Sequence, residues 1–170
     1  MTNLDPIAAL VNGIVLDVDG ILTDGKIIYG SDGSEYKQFH VRDGASIKLL
    51  AEHGVALAMI TGRSSNMVSR RAQELGITHL IQGASCKAEA LDTLIGAGFP
   101  GSQLCAIGDD VQDLKLFAHP AISLTATVAD AHPAVIAAAH LVTQRGGGMG
   151  VMVELAEVIL RAQGHWEFDD

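Results

Sequence analysis

Asp17 and Asp19 stand two positions apart at the end of an apolar run, in the stretch "GIVLDVDGILTDG" (13–25). Burial strips water from a carboxylate, so a buried-looking strand that ends in two of them needs compensating charge. Three more points of the chain offer partners. "VALAMIT" (55–61) runs into Thr61-Gly62-Arg63, Lys87 opens the helical pattern after "HLIQ" (79–82), and "LCAIGD" (104–109) leads to Asp110, with Asp113 one turn later. Carboxylates with room for water suit Mg²⁺, while a hydroxyl and an ammonium suit phosphoryl oxygens. These residue types make a hard-oxygen cation site beside a phosphate-sized pocket.

The elements that must position them follow from periodicity. The three runs above, with "GIVLD" (13–17), "AISL" (121–124) and "HLVT" (140–143), are mostly apolar on both alternating faces, as in strands buried in a parallel sheet. Helical spacing fills the segments 44–53, 65–75, 86–95, 110–118, 133–139 and 150–163, and Gly54 and Gly76 supply stop signals. Strand–helix alternation over 170 residues predicts one α/β domain, a three-layer, doubly wound parallel sheet. In such sheets ligands bind at the carboxyl ends of the strands, where the residues above stand. One segment breaks the alternation. "KIIYGSDGSEYKQFHV" (26–41) has two β-like runs around Asp32-Gly33, a hairpin signal. A lone hairpin is marginal in water, so this one must pack on its own domain or pair with other copies.

Composition narrows the function. Hydrophobic residues are 48% and aromatics 4%, so the core is aliphatic. A net charge of −9 argues against nucleic-acid or membrane-surface partners, which want a basic face. Two cysteines without ligand spacing, Cys86 and Cys105, suit a reducing compartment. The first residues lack a signal-peptide pattern and no run nears the roughly 20 apolar residues of a membrane span. The expectation is a cytoplasmic protein. The histidines lack metal-ligand spacing and are expected at the surface or an interface. The acidic end "HWEFDD" is expected to fray.

Asp-x-Asp-Gly could also open a calcium loop, but the fifth and twelfth positions are Ile21 and Ile28. The four motifs in chain order, "DVDGILTDG", "ITGR", Lys87 and "GDDVQD", instead resemble those of the haloacid dehalogenase-like superfamily, and within it the phosphatases. A phosphorylated receiver domain shares the Asp, Thr and Lys in a different order, and a non-catalytic scaffold would lack a motif where none is missing. The resemblance implies roles. Asp17 is the nucleophile and Asp19 the general acid and base. Mg²⁺ is held by the Asp17 carboxylate, the Asp19 carbonyl and Asp109. Thr61 and Lys87 hold the transferring oxygens, and Asp110 and Asp113 orient metal waters and Lys87.

Only 41 residues separate Asp19 from Thr61 and 25 separate Thr61 from Lys87, so no cap domain fits between motifs. More narrowly, "TDGKIIYGSDGSEYKQFHVRDGASIKLL" and "VADAHPAVIAAAHLVTQRGGGMG" resemble the family of 3-deoxy-D-manno-octulosonate 8-phosphate phosphatases, enzymes of lipopolysaccharide sugar synthesis. That resemblance implies a homotetramer joined through hairpin 26–41, and a neighbour's C-terminal segment (within 145–170) closing the site. It implies substrate contacts at Asp19, His40, Val41, Arg42, Asp43, Gly44, Lys48, Arg63, Arg71 and Lys87. The basic members suit a sugar bearing both a carboxylate and a phosphate. The residues do not separate an eight-carbon keto-sugar from a nine-carbon one such as 2-keto-3-deoxynonulosonate 9-phosphate. Met149 stands where the family has arginine, with Arg145 four residues earlier. The glycines of "RGGGMG" also fit a flexible lead-in to the last helix. Deleting the chain after Gly146 is expected to alter substrate handling more than the fold.

Overall fold

A computed structural model describes residues 4–168. Its centre is a six-stranded, all-parallel sheet in the order β5-β4-β1-β6-β7-β8. The strands are β1 (Gly13–Leu16), β4 (Ala56–Ile60), β5 (His79–Ile81), β6 (Leu104–Ile107), β7 (Ile122–Thr127) and β8 (Leu141–Val142). Each lies within or overlaps an apolar run read from the sequence. β2 (Ile28–Tyr29) and β3 (Glu35–Tyr36) form a separate two-stranded ribbon. Its turn closes by the Gly33 N–H donating to the Gly30 carbonyl, with Gly33 at φ 84°.

Alternation along the strands makes two cores. Ile14 and Leu16 join one cluster with α2 (Val41–Glu52), α3 (Asn66–Leu75) and α7 (Val151–Ala162). Val15 joins the other with α4 (Lys87–Gly96), α5 (Leu114–Phe117) and α6 (Pro133–Ala138). The result is the three-layer, doubly wound sandwich expected from the sequence. Chain order reverses at β1, which lies between β4 and β6. A reversal of this kind opens a crevice at the carboxyl ends.

Three features depart from the sequence reading. A short helix, α1 (Asp5–Ala8), precedes β1 and packs Ala8 into the first core. Near the other terminus, where fraying is expected, the His165 ring stacks on His53 at 4.7 Å and Trp166 packs against the first core, while Glu167 and Phe168 are exposed. Asp169 and Asp170 lie outside the described residues. Finally, Gly146–Gly148 form a packed strap. The Gly147 N–H donates to Asp130 and the Gly148 N–H to the Ile21 carbonyl, and a Cβ at Gly147 would strike the carbonyls of Gly20 and Thr23. Beyond it, α7 buries Leu155, Ile159 and Leu160. At 1.5–3 kcal/mol for each large aliphatic side chain, roughly, cutting the chain after Gly146 removes core rather than a dispensable tail.

Several histidines do more than decorate the surface. His40 and His132 accept the N–H of the residue two ahead and so cap α2 and α6. No helix among the described residues is long and apolar enough to cross a membrane.

Candidate active site

The strand register sets the height of the site. Leu16 pairs with Met59 on one side and Ile107 on the other. Asp17, Thr61 and Asp109 therefore leave the sheet at nearly one level. Asp17 extends β1 by one bond, its N–H donating to the Ile107 carbonyl. Thr61 does the same for β4 through the Ile81 carbonyl. Lys87 is the first residue of α4, and its long side chain reaches back across the crevice. Gly20, at φ 93°, lets Asp109 close in, because a Cβ there would occupy the Asp109 carboxylate. These groups line a cleft of about 420 Å³ with Asp19, Arg63, Asp110 and Asp113.

Lys87 is the electrostatic hub. Its Nζ lies 2.8 Å from Asp17 Oδ2 and 2.5 Å from Asp113 Oδ1, and all three side chains are buried. Burial opposes its charge, and Asp17 and Asp113 more than restore it, so its pKa lies above the ordinary lysine value. Asp113 spends its other oxygen on the N–H groups of Asp109 and Asp110, at 3.0 and 3.1 Å. Asp110 is exposed and caps the turn Val111–Asp113 by accepting the Val111 N–H. Burial pushes the Asp17 carboxyl up to about 7, despite Lys87, and burial with the nearby Asp113 charge pushes Asp109 up to about 6.

Those two shifts test the fit of a cation. Asp17, Asp109 and Asp113 each place an oxygen within 4.8 Å of the others. Asp113 is committed to Lys87 and two backbone N–H groups. Asp17 meets Lys87 with one oxygen and accepts the Val18 N–H with the other, yet burial still raises both Asp17 and Asp109, which marks them as the pair short of positive charge. Hard oxygens on a buried carboxylate and a half-buried one facing one another fit Mg²⁺.

The sequence-derived residues fall into two groups. Asp17, Asp19, Thr61, Arg63, Lys87, Asp109, Asp110 and Asp113 meet in the cleft. His40, Val41, Arg42, Asp43, Gly44, Lys48 and Arg71 do not line it. Val41 is 83% exposed, and Arg42 and Lys48 are exposed on α2. Arg71 donates to the His40 carbonyl at 3.3 Å and lies over the Phe39 ring, and Gly44 has no room for a Cβ beside it. Asp43 is 2% exposed and accepts the Met152 N–H at 2.8 Å, in the first turn of α7. α7 has no side-chain cap of its own. Asp43 therefore ties α2 to α7, and within one chain it offers nothing to a ligand in the cleft.

Lys37 and Glu35 were not among the residues singled out from the sequence. The Lys37 side chain is 1% exposed and forms an ion pair with Asp19, and it lies 3.6 Å from Glu35. Glu35 in turn lies 3.6 Å from Arg63. The available signal was alternation. Glu35, Lys37 and Phe39 share one face of the ribbon, and Phe39 is an apolar residue that packs on the core.

No family model matches the chain. A Yersinia pestis protein named 3-deoxy-D-manno-octulosonate 8-phosphate phosphatase is 41% identical over 157 residues, 92% of this chain and 83% of its own. The Moraxella catarrhalis protein of that name, solved with magnesium ion, phosphate ion and KDO, superposes with a TM-score of 0.90 at 42% identity, over 96% of this chain and 94% of its own. A cobalt-bound Haemophilus influenzae deoxy-D-mannose-octulosonate 8-phosphate phosphatase gives 0.88 at 38% identity and 96% of both chains. The order of the motifs, the shared architecture and identity over nearly the whole length agree, and the chain belongs to the 3-deoxy-D-manno-octulosonate 8-phosphate phosphatase family of the haloacid dehalogenase-like superfamily.

Proposed function

We propose that this phosphatase acts on 3-deoxy-D-manno-octulosonate 8-phosphate in lipopolysaccharide sugar synthesis, as a cytoplasmic homotetramer with Mg²⁺ as cofactor. The observation that carries the reading is Lys87 Nζ bridging Asp17 and Asp113 on the floor of an open, carboxylate-lined cleft. A carboxylate held at 2.8 Å by a buried ammonium keeps one face free toward the cleft, where it can attack phosphorus.

In the first step an Asp17 oxygen bonds to phosphorus, and the bond from phosphorus to the sugar oxygen breaks. Asp19 gives that oxygen its proton. In the second step water attacks the aspartyl-phosphate, its proton passes to Asp19, and phosphate leaves with Asp17 restored. Thr61 and Lys87 hold the non-bridging oxygens, and Lys87 offsets the charge that grows in the transition state. Asp113 aims Lys87, and Asp110 shapes the turn that presents Asp109. Asp17, Asp109 and the Asp19 carbonyl would hold Mg²⁺, whose charge lets a dianionic phosphate approach a carboxylate.

The single domain spans 1–170. Its ribbon, 26–41, serves oligomerisation and its last helix and tail occupy 145–170. Ile28 and Tyr36 pair across the outer face of the ribbon and are 42% and 55% exposed. An apolar face on a two-stranded ribbon suits pairing with other copies. Assembly would also bring His40, Val41, Arg42, Gly44, Lys48 and Arg71 of one copy toward the cleft of another, where Arg63 supplies a further cation for the sugar carboxylate. A neighbour's C-terminal segment, with Arg145 in place of the arginine that Met149 replaces, would close the opening.

The test is Mg²⁺-dependent phosphate release, with and without EDTA, from the eight-carbon and nine-carbon keto-sugar phosphates, hexose phosphates and p-nitrophenyl phosphate. A preference of about tenfold or more for the eight-carbon ester is expected, equivalent to roughly 1.4 kcal/mol of transition-state binding. Equal rates on all four would reject the substrate, and EDTA-insensitive turnover would reject the cofactor.

A further inference from the structure

The ribbon's inner face carries charge into the cleft. Lys37 follows β3 directly, and its side chain is sealed to 1% exposure by its own chain. That is unusual for a lysine on a marginal ribbon, since a solvated edge lysine is the common case. Its Nζ pairs with Asp19 Oδ1, while Asp19 Oδ2 is buried without a hydrogen-bond partner. Glu35 stands behind Lys37 at 3.6 Å and also faces Arg63 at 3.6 Å. Glu35 pairs with Tyr29 across the ribbon, which places Tyr29 beside the same Arg63. The ribbon thus links the loop after β1 to the loop after β4, on both sides of the cleft.

We propose that Lys37 is a positioning residue for leaving-group protonation. By gripping Asp19 Oδ1 it fixes the carboxyl rotamer that leaves Oδ2 unpaired in the cleft wall, and Glu35 keeps the ammonium in place. The inference rests on the role proposed for Asp19. Asp19 lies on a loop and keeps 20% of its side chain exposed, and besides Lys37 only a long 3.5 Å hydrogen bond from the Thr23 hydroxyl reaches Oδ1, so without Lys37 the carboxyl has freedom to rotate. The partnerless Oδ2 is the atom left for the departing sugar oxygen. The ribbon then has two faces with two tasks, the outer one apolar and the inner one orienting the acid.

The experiment is a series of monoesters, from p-nitrophenyl phosphate, whose leaving group departs with little help, to simple alkyl phosphates, whose alkoxide must be protonated. kcat/KM is measured for the wild-type chain, Lys37→Met, Lys37→Arg and Glu35→Gln. Lys37→Met is expected to lose roughly 100-fold with the alkyl esters and less than about fivefold with p-nitrophenyl phosphate, the signature of a mislaid general acid. The loss should sit in kcat with KM little changed, Lys37→Arg should recover most of it, and Glu35→Gln should show a smaller loss of the same pattern. A parallel loss across the series, or no loss, would overturn the proposal. If Lys37→Met fails to fold, Glu35→Gln decides by the same criterion. Wild-type turnover of the series but not of the eight-carbon ester would reject the substrate alone. A wild-type chain inert to every ester would overturn both readings.

Discussion

Where β1, β4 and β6 end, Asp17, Thr61, Lys87 and Asp109 converge inside one chain, whereas Val41, Arg42 and Lys48 stand on the outside of α2, away from that cleft. Sheet register does the first job. Neighbouring parallel strands stop at one level, so residues at their exits meet whatever the loops do. Nothing comparable gathers the second group, whose members sit on helices and beside the ribbon. Bond-making is thus built into the fold of one chain, and the second group reaches the cleft only through the assembly proposed above.

Substitutions can break that division, and the largest effect belongs to the cleft. Asp17→Asn should abolish phosphate release by at least roughly 10⁴-fold while the circular-dichroism spectrum stays native, because the nucleophile is lost and its shape is kept. Lys87→Met should lower kcat by about 10² to 10³ on every ester alike, since it removes transition-state charge that all esters share. Arg71→Ala should act on the other region. KM for the keto-sugar ester should rise about tenfold, the loss of one charged hydrogen bond, with p-nitrophenyl phosphate turnover unchanged. A fall in kcat for both esters would place Arg71 in the chemistry and blur the distinction. Tyr36→Asp should dissociate the assembly in light scattering and raise the same KM, while aryl-ester turnover survives.

The smallest effect is on stability. Burial raises Asp17 to about 7 and Asp109 to about 6, against 3.8 for an ordinary aspartate. The folded chain therefore holds protons that the unfolded chain has released. In EDTA that contribution is complete below about pH 4 and is lost as pH rises through about 6 to 7, so the melting temperature should fall over this window. With Mg²⁺ the trend should reverse, because the cation binds only the deprotonated pair. A melting temperature that ignores both pH and Mg²⁺ would contradict the balance drawn between Asp17 and Asp109.

The fold and the cleft were legible in the sequence for the same reason. Runs such as "LCAIGD" are buried on both faces and end abruptly in polar residues, so the strand and its exit appear together. What stayed hidden depends on contacts between distant segments. Lys37 looks like a solvated edge lysine until the ribbon folds back onto Asp19, 18 positions away. Asp43 sits in a stretch expected to contact substrate, yet its carboxylate caps a helix 109 positions later. Gly146–Gly148 look flexible because glycine usually is, but here the missing Cβ atoms admit the Asp130 carboxylate at Gly146 and the backbone of the loop after β1 at Gly147 and Gly148.

The central claim is that Asp17 attacks phosphorus. Rapid quenching of Asp19→Asn with p-nitrophenyl phosphate, whose leaving group needs little protonation, and Mg²⁺, then borohydride reduction and peptide mass spectrometry, test it directly. Asp19→Asn should slow hydrolysis of the covalent adduct, and reduction of an acyl phosphate leaves homoserine. Homoserine is expected at position 17 in the peptide containing "GIVLDVDG". Homoserine at another position, or phosphate release with no adduct at any quench time, would contradict it.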